Sequence, residues 1–148
     1  MRPTQLIPNA DGTVTEGPAP SELPSNAMTL LQIYGNMTFA GAGTVKAQLP
    51  AVKDAVRIVL LLRLRAQEGI GSSFVTVLER YSQQLKVRGG KLMVAGVNPK
   101  AKRQLDRTET TGEILGEENV FVATTTLRAS TKAAYDAAQR WLQETPTA

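Results

Sequence analysis

The chain has 148 residues, 42% of them hydrophobic and 20% charged, which suits a single domain with one core. It has no cysteine and no histidine, which removes disulfides, thiolate nucleophiles, Cys/His zinc sites and the commonest general base. The formal charge of +4 is uneven, −2 over residues 1–27 and +6 beyond; it suits an anionic lipid surface or ligand and is too small to indicate nucleic-acid binding.

No apolar run is long enough to span a bilayer, and Met1-Arg-Pro-Thr4 leads into no signal-peptide core, so the chain by itself is expected to be soluble. Thr4-Gln-Leu-Ile7 reads as a short strand, and the turn signal Asn9-Ala-Asp-Gly12 returns the chain as Thr13-Val-Thr15. Gly17-Pro-Ala-Pro20 and Leu23-Pro-Ser-Asn26 form a Pro-rich connection with too few apolar residues to fold alone, a linker or a lid along a sheet edge.

Thr29-Leu-Leu-Gln-Ile-Tyr34 is a strand stopped by Gly35-Asn36. Phe39 to Leu49 has Ala42, Val45 and Leu49 on one helical face, and Pro50 limits its continuation. Ile58-Val-Leu-Leu-Leu62 is a continuous apolar run of the kind covered on both faces in a parallel sheet, so it is expected at the centre. Gly69 and Gly71 release the backbone, and Ser72-Ser73 can cap the free N–H groups of a new helix. Phe74, Leu78, Tyr81 and Leu85 then recur at helical spacing until Gly89-Gly90.

Lys91-Leu-Met-Val-Ala95 restarts a strand, completing a strand–helix–strand unit. Asn98-Pro99 is a helix start, Asn as N-cap and Pro at the first helical position, for a helix to about Arg107. Gly112 to Glu118 reads as a polar loop and Asn119-Val-Phe-Val-Ala123 as the last strand. From Ser130, Ala134, Ala137, Ala138, Trp141 and Leu142 predict a final helix with an Ala/Trp face on the sheet, fraying before Pro146.

An apolar strand, a Gly/Ser turn opening a helix and then Arg88-Gly-Gly-Lys-Leu-Met-Val-Ala-Gly-Val-Asn-Pro99 resembles the domain shared by sulphate transporters and anti-sigma-factor antagonists, abbreviated STAS. Leu30-Leu-Gln-Ile-Tyr-Gly-Asn-Met-Thr-Phe-Ala-Gly-Ala42 is similar to the corresponding stretch in the C-terminal cytoplasmic domains of SulP-type anion transporters, which favours that branch. The resemblance implies an α/β fold: a central, mainly parallel sheet with an antiparallel N-terminal edge and helices packed largely on one side. Residues 1–27 are then an N-terminal extension or linker with a short hairpin, 28–144 the STAS domain and 145–148 a frayed tail.

It also implies a non-catalytic regulatory or interaction domain of a secondary transporter of sulphate or a related inorganic anion, without a cofactor. The implied partners are the transmembrane portion of the same transporter, a second copy in a homodimer, and a cytoplasmic regulatory protein or nucleotide. Two other classes stand beside it: a stand-alone anti-sigma-factor antagonist regulated by serine phosphorylation, and an anion- or nucleotide-binding module.

Ser72, flanked by Gly71 and Ser73, stands where the signalling relatives carry a phosphorylatable serine, and a phosphate there would face a helix N-terminus. The aspartate that usually precedes that serine is here Gly71, and a pair of helix-capping serines accounts for the same residues. Arg63 and Arg65 follow the central strand, and Lys100, Lys102 and Arg103 open the next helix; if the two ends converge they can hold an anion or a partner's carboxylate, and otherwise they form a solvated basic face. Phosphate loops, dinucleotide fingerprints and paired acid/base carboxylates are absent from the sequence.

Overall fold

The computed structural model describes residues 3–34, 49–65, 72–107, 114–123 and 128–145. They form a six-stranded sheet of order β2-β1-β3-β4-β5-β6. Its strands are β1 (Thr4–Pro8), β2 (Val14–Pro18), β3 (Met28–Tyr34), β4 (Val59–Arg65), β5 (Lys91–Val97) and β6 (Val120–Val122). The hairpin β1–β2 pairs antiparallel and joins β3 antiparallel through Thr4 and Gln5, whereas β3, β4, β5 and β6 run parallel. Three α-helices lie among the described residues: α1 (Ser72–Val87), α2 (Pro99–Arg107) and α3 (Ala129–Glu144).

The apolar run predicted to be central is β4, hydrogen-bonded on both sides and covered on both faces. Leu60, Leu62 and Leu64 face one core with Leu31, Ile33, Leu92 and Val94, while Val59 and Leu61 face a second core with Leu30, Met93 and Ala95. Strand alternation therefore sorts one continuous apolar sequence into two cores, each side chain contributing about 1.5–3 kcal/mol of transfer free energy.

α1 and α2 cover the first face with Phe74, Leu78, Tyr81, Leu85, Ala101 and Leu105, and, among the described helices, α3 covers the second with Ala134 and Ala138, flanked by Trp141 and Leu142. The small residues of α3 bring it close to the sheet. Two of the three helices thus share a face, as expected.

Two of the helix boundaries read from the sequence have direct hydrogen-bond causes. Asn98 Oδ1 accepts from the Ala101 N–H at 2.7 Å, capping α2 at its first turn, with Pro99 next to the cap. α1 ends where the Gly89 N–H reaches the Lys86 carbonyl and the Gly90 N–H reaches that of Leu85, the paired bonds of a Schellman turn with Gly89 at φ 75°. Gly90 answers a different need: a Cβ there would collide with the backbone of Ile58, its nitrogen only 2.7 Å away.

Some readings change. The Pro-rich connection is bound into the fold: Leu23 is buried in the first core, its N–H donates to the Ala51 carbonyl at 3.2 Å, and the Ala51 N–H donates to the Ser21 carbonyl at 2.8 Å. Of the 112–118 stretch, the described residues 114–118 are not simply a polar loop, because Leu115 is buried and its carbonyl accepts from Asn119 Nδ2 at 2.6 Å. A 3₁₀ turn, Glu117–Asn119, leads into β6. The helix expected over 39–49 falls, except for Leu49, outside the described residues, as do Gly35-Asn36, Gly69 and Gly71.

The register between β5 and β6 slips between Val94 and Val97, so a bulge lies at Ala95-Gly96 and turns Val97 into the first core with Val94. The bulge takes the Gly96 N–H out of the ladder, and Ser130 Oγ in the first turn of α3 accepts it at 3.0 Å. One irregularity of the sheet thereby fixes where the last helix begins.

Candidate functional site

In a parallel sheet every strand-to-helix turn lies at the carboxyl ends of the strands, where ligands and partners usually meet an α/β fold. β4 leads toward α1 there, β5 leads to α2, and β6 leads toward α3.

Ser72 and Ser73 occupy the first turn of α1, which runs sixteen residues and carries no acidic side chain in that turn. Phe74, fully buried, anchors this end to the first core. Free N–H groups and the positive end of the dipole make such a turn favourable for negative charge. The side chains of Ser72 and Ser73, and Gly71 altogether, lie outside the described residues, as does the Arg65 side chain.

Lys100 and Arg103 lie exposed on α2, whose buried residues Ala101 and Leu105 pack into the first core. Between them Lys102 is engaged, with Asp106 at 2.8 Å and Glu117 at 3.1 Å. The hydrogen bond to Asp106, more than burial opposes, raises the pKa of Lys102 above the ordinary lysine value.

Arg63 goes elsewhere. It alternates with Leu62 and Leu64, so its side chain projects from the face covered by α3, and Nη1 donates to Oε1 of the buried Gln32 on β3. The structure therefore does not gather Arg63 with Lys100 and Arg103: they share the carboxyl end of the sheet but lie on opposite faces. Convergence fails because the strand parity that buries Leu64 under α2's side of the sheet sends Arg63 to the other.

Arg63 instead lines a half-open cavity of about 660 Å³ between the β1–β2 hairpin and the start of α3. Leu6, Val14, Leu30 and Tyr135 supply apolar wall, and Gln32, Arg128, Lys132 and Glu16 supply polar groups. Apart from Arg63, none of these residues was read from the sequence as part of a site; Tyr135 reads there as a core or interface aromatic of the last helix. Arg128 and Lys132 come from a helix start whose position the bulge decides, and the hairpin reaches the cavity only by pairing with β3.

Two further features shape the molecule at the opposite, amino end of the sheet. Arg57, 5% exposed, donates from Nη2 to the carbonyls of Leu142 and Thr145 at the end of α3, and its guanidinium lies 5.7 Å from the centre of the Trp141 ring. Lys91 Nζ lies 5.1 Å from the same ring, and burial lowers its pKa below the ordinary lysine value, partly offset by Glu118.

The fold has solved counterparts. A sulfate transporter family protein from Wolinella succinogenes superposes with a TM-score of 0.61 at 22% identity, over 93% of this chain and 98% of that one. The murine Solute Carrier 26 family member A9 anion transporter in its inward-facing state gives 0.64 at 10% identity, over 94% of this chain. Of that transporter this chain spans 22% of the length. No curated protein matches the sequence. The model of the STAS domain matches residues 21–126, from the Pro-rich segment through β6, and with the mixed sheet and its parallel centre this establishes that the chain belongs to the STAS domain family.

Proposed function

We propose that this chain is the regulatory STAS domain of a SulP-type secondary transporter of sulphate or a related inorganic anion. In this reading it is a non-catalytic interaction module at the cytoplasmic face of the membrane, docked on the transmembrane portion of its own transporter. The observation that carries the proposal is the shared fold over 94% of this chain with a much longer anion transporter, of which the matched part is 22%. No described helix is long and apolar enough to cross a membrane, so in this reading the translocation path belongs to other parts of the transporter.

The surface proposed to meet partners, whether the membrane portion, a second copy or a cytoplasmic regulator, is the carboxyl end of the sheet at the first turn of α1. Its chemistry there is charge recognition: Ser72 acts through the charge it can carry and not through bond-making.

Two experiments test this. An antibody to the domain should detect, in cells that make it, a polypeptide much heavier than 15.9 kDa in the membrane fraction. A band of 15.9 kDa confined to the soluble fraction would overturn the transporter reading and favour a stand-alone signalling protein. In the transporter, Ser72→Asp should change anion uptake while the isolated domain keeps its melting temperature, because an acidic group in a helix's first turn is favourable by about 0.3–1 kcal/mol. Unchanged uptake with an intact fold would reduce Ser72 to a structural residue.

A further inference from the structure

The cavity beside Arg63 has a division of labour that a structural gap does not need. Its volume, about 660 Å³, lies within the range of roughly 300–1,000 Å³ typical of small-molecule sites. It far exceeds what one inorganic anion fills. Leu6, Val14, Leu30 and the Tyr135 ring form an apolar wall, contributed by the hairpin, β3 and α3. Three cationic side chains from two distant parts of the chain, Arg63 on β4 and Arg128 and Lys132 at the start of α3, border the same space. Glu16 is the one carboxylate on the wall among the described residues.

The cations are held differently. Arg63 is half-buried and oriented by the Gln32 amide, itself 2% exposed, so its guanidinium is placed before any ligand arrives. Lys132 is exposed and pairs with Asp136 at 3.0 Å one turn along the helix. Arg128, also exposed, precedes α3 in a left-handed conformation with φ 65°. An oriented, half-buried cation and two exposed cations suit a single anionic head group, and the apolar wall suits the body attached to it.

We propose that this cavity is a binding site for a small amphipathic anion, a carboxylate, sulfonate or phosphate head on an aliphatic or aromatic body, with Arg63 holding the head and Leu30 and Tyr135 packing the body. The proposal is independent of the transporter reading, since a stand-alone protein of this fold would carry the same cavity. Occupancy ties the β1–β2 hairpin to α3, two elements at opposite ends of the sequence.

Sodium octanoate serves as the probe, titrated into the 15N-labelled 148-residue chain and followed by amide chemical shifts, with sodium sulfate and octylammonium chloride alongside. Octanoate should give saturable shifts concentrated at Leu30, Gln32, Arg63 and Tyr135, while sulfate, which lacks the body, and octylammonium, which reverses the charge, should bind at least about tenfold more weakly. Arg63→Gln should weaken octanoate about tenfold, the usual scale for one charge-assisted hydrogen bond. Should Arg63→Gln not fold, the double variant Arg128→Gln, Lys132→Gln changes only exposed side chains and should weaken octanoate to a smaller, measurable extent. The proposal is overturned if octanoate gives no saturable shifts at these residues, if sulfate or octylammonium binds as tightly, or if binding is unchanged in every variant that folds.

Discussion

Arg57 and Leu142, far apart in the sequence, meet at the carboxyl end of α3, where the Arg57 guanidinium donates to the Leu142 main-chain carbonyl. The last carbonyls of a helix have no partners within it, and a buried cation there satisfies them and complements the negative end of the dipole. Arg57 also reaches Thr145 and lies against Trp141, so one side chain closes α3 over the second core. Arg57→Met keeps the packing volume and removes the donors. It should lower stability by about 2–4 kcal/mol, since hydrogen bonds to charged groups are each worth about 1.5–3 kcal/mol. Urea unfolding measures it, and a loss under about 0.5 kcal/mol would show that the clamp contributes nothing.

Tyr81 gives the stability a defined alkaline limb. Its hydroxyl donates to the Pro50 carbonyl at 2.5 Å, and burial pushes its pKa well above the ordinary 10.0. The phenol's folded pKa is raised, so its contribution is fully present below pH 10 and is lost as pH rises from there toward the folded value, by about 1.4 kcal/mol per unit. Tyr81→Phe should be about 1 kcal/mol less stable than the parent at pH 8, from the lost hydrogen bond, and should decline less steeply above pH 10. Urea midpoints between pH 8 and 11 check this; parallel curves for the two proteins would contradict it.

Leu61 is fully buried on the central strand, facing the second core. Leu61→Asp places an unpaired carboxylate among Leu30, Met93 and Ala138, at a cost of several kcal/mol against a total stability of about 5–15 kcal/mol. An unfolded or insoluble product is expected, and Leu61→Ala should lose about 2–5 kcal/mol. Circular dichroism and solubility are the readouts, and near-parental melting of the Asp variant would place the strand at the periphery.

Residues 1–20 include a hairpin that, among the described residues, is in register with β3 through Thr4 and Gln5, with Leu6 on the second core. A chain beginning at Ser21 retains both cores, Leu23 and its bond to Ala51. It should unfold cooperatively at a lower urea midpoint, with faster amide exchange along β3, whose edge it exposes. Non-cooperative unfolding would make the hairpin part of the folding unit.

The octanoate titration has a structural counterpart in this truncation, because Leu6, Val14 and Glu16 leave with the hairpin while Arg63 and α3 stay. Loss of octanoate binding in a cooperatively folded chain beginning at Ser21 is the expected result, read by the same amide shifts.

Local physics made much of this fold legible in the sequence. Asn98-Pro99 can start a helix and Gly89-Gly90 can end one through interactions within a few residues, and both do. The run at residues 58–62 is apolar at every position, which suits a strand covered on both faces, and its residues from Val59 on lie in the strand paired on both sides. The family resemblance followed from the same strand–turn–helix–strand stretch that the family model covers.

What the tertiary structure alone decided depends on contacts between residues distant along the chain. Alternation showed that Arg63 and Leu64 point oppositely, but not which direction α2 and α3 would each cover; that choice separated Arg63 from Lys100 and Arg103 and joined it to Gln32. The bulge at Ala95-Gly96 reverses the parity of Val97 and hands a free N–H to Ser130; its one local signal is Gly96, an isolated glycine at φ 68° inside the strand, and the partner that takes the N–H lies far along the chain. Arg57 reads in sequence as one more surface cation, and becomes a buried cap only because α3 returns to the amino end of the sheet. The sequence determines which residues must be buried and where elements start; the packing of the hairpin, the sheet and α3 decides which charges end up sharing one cavity.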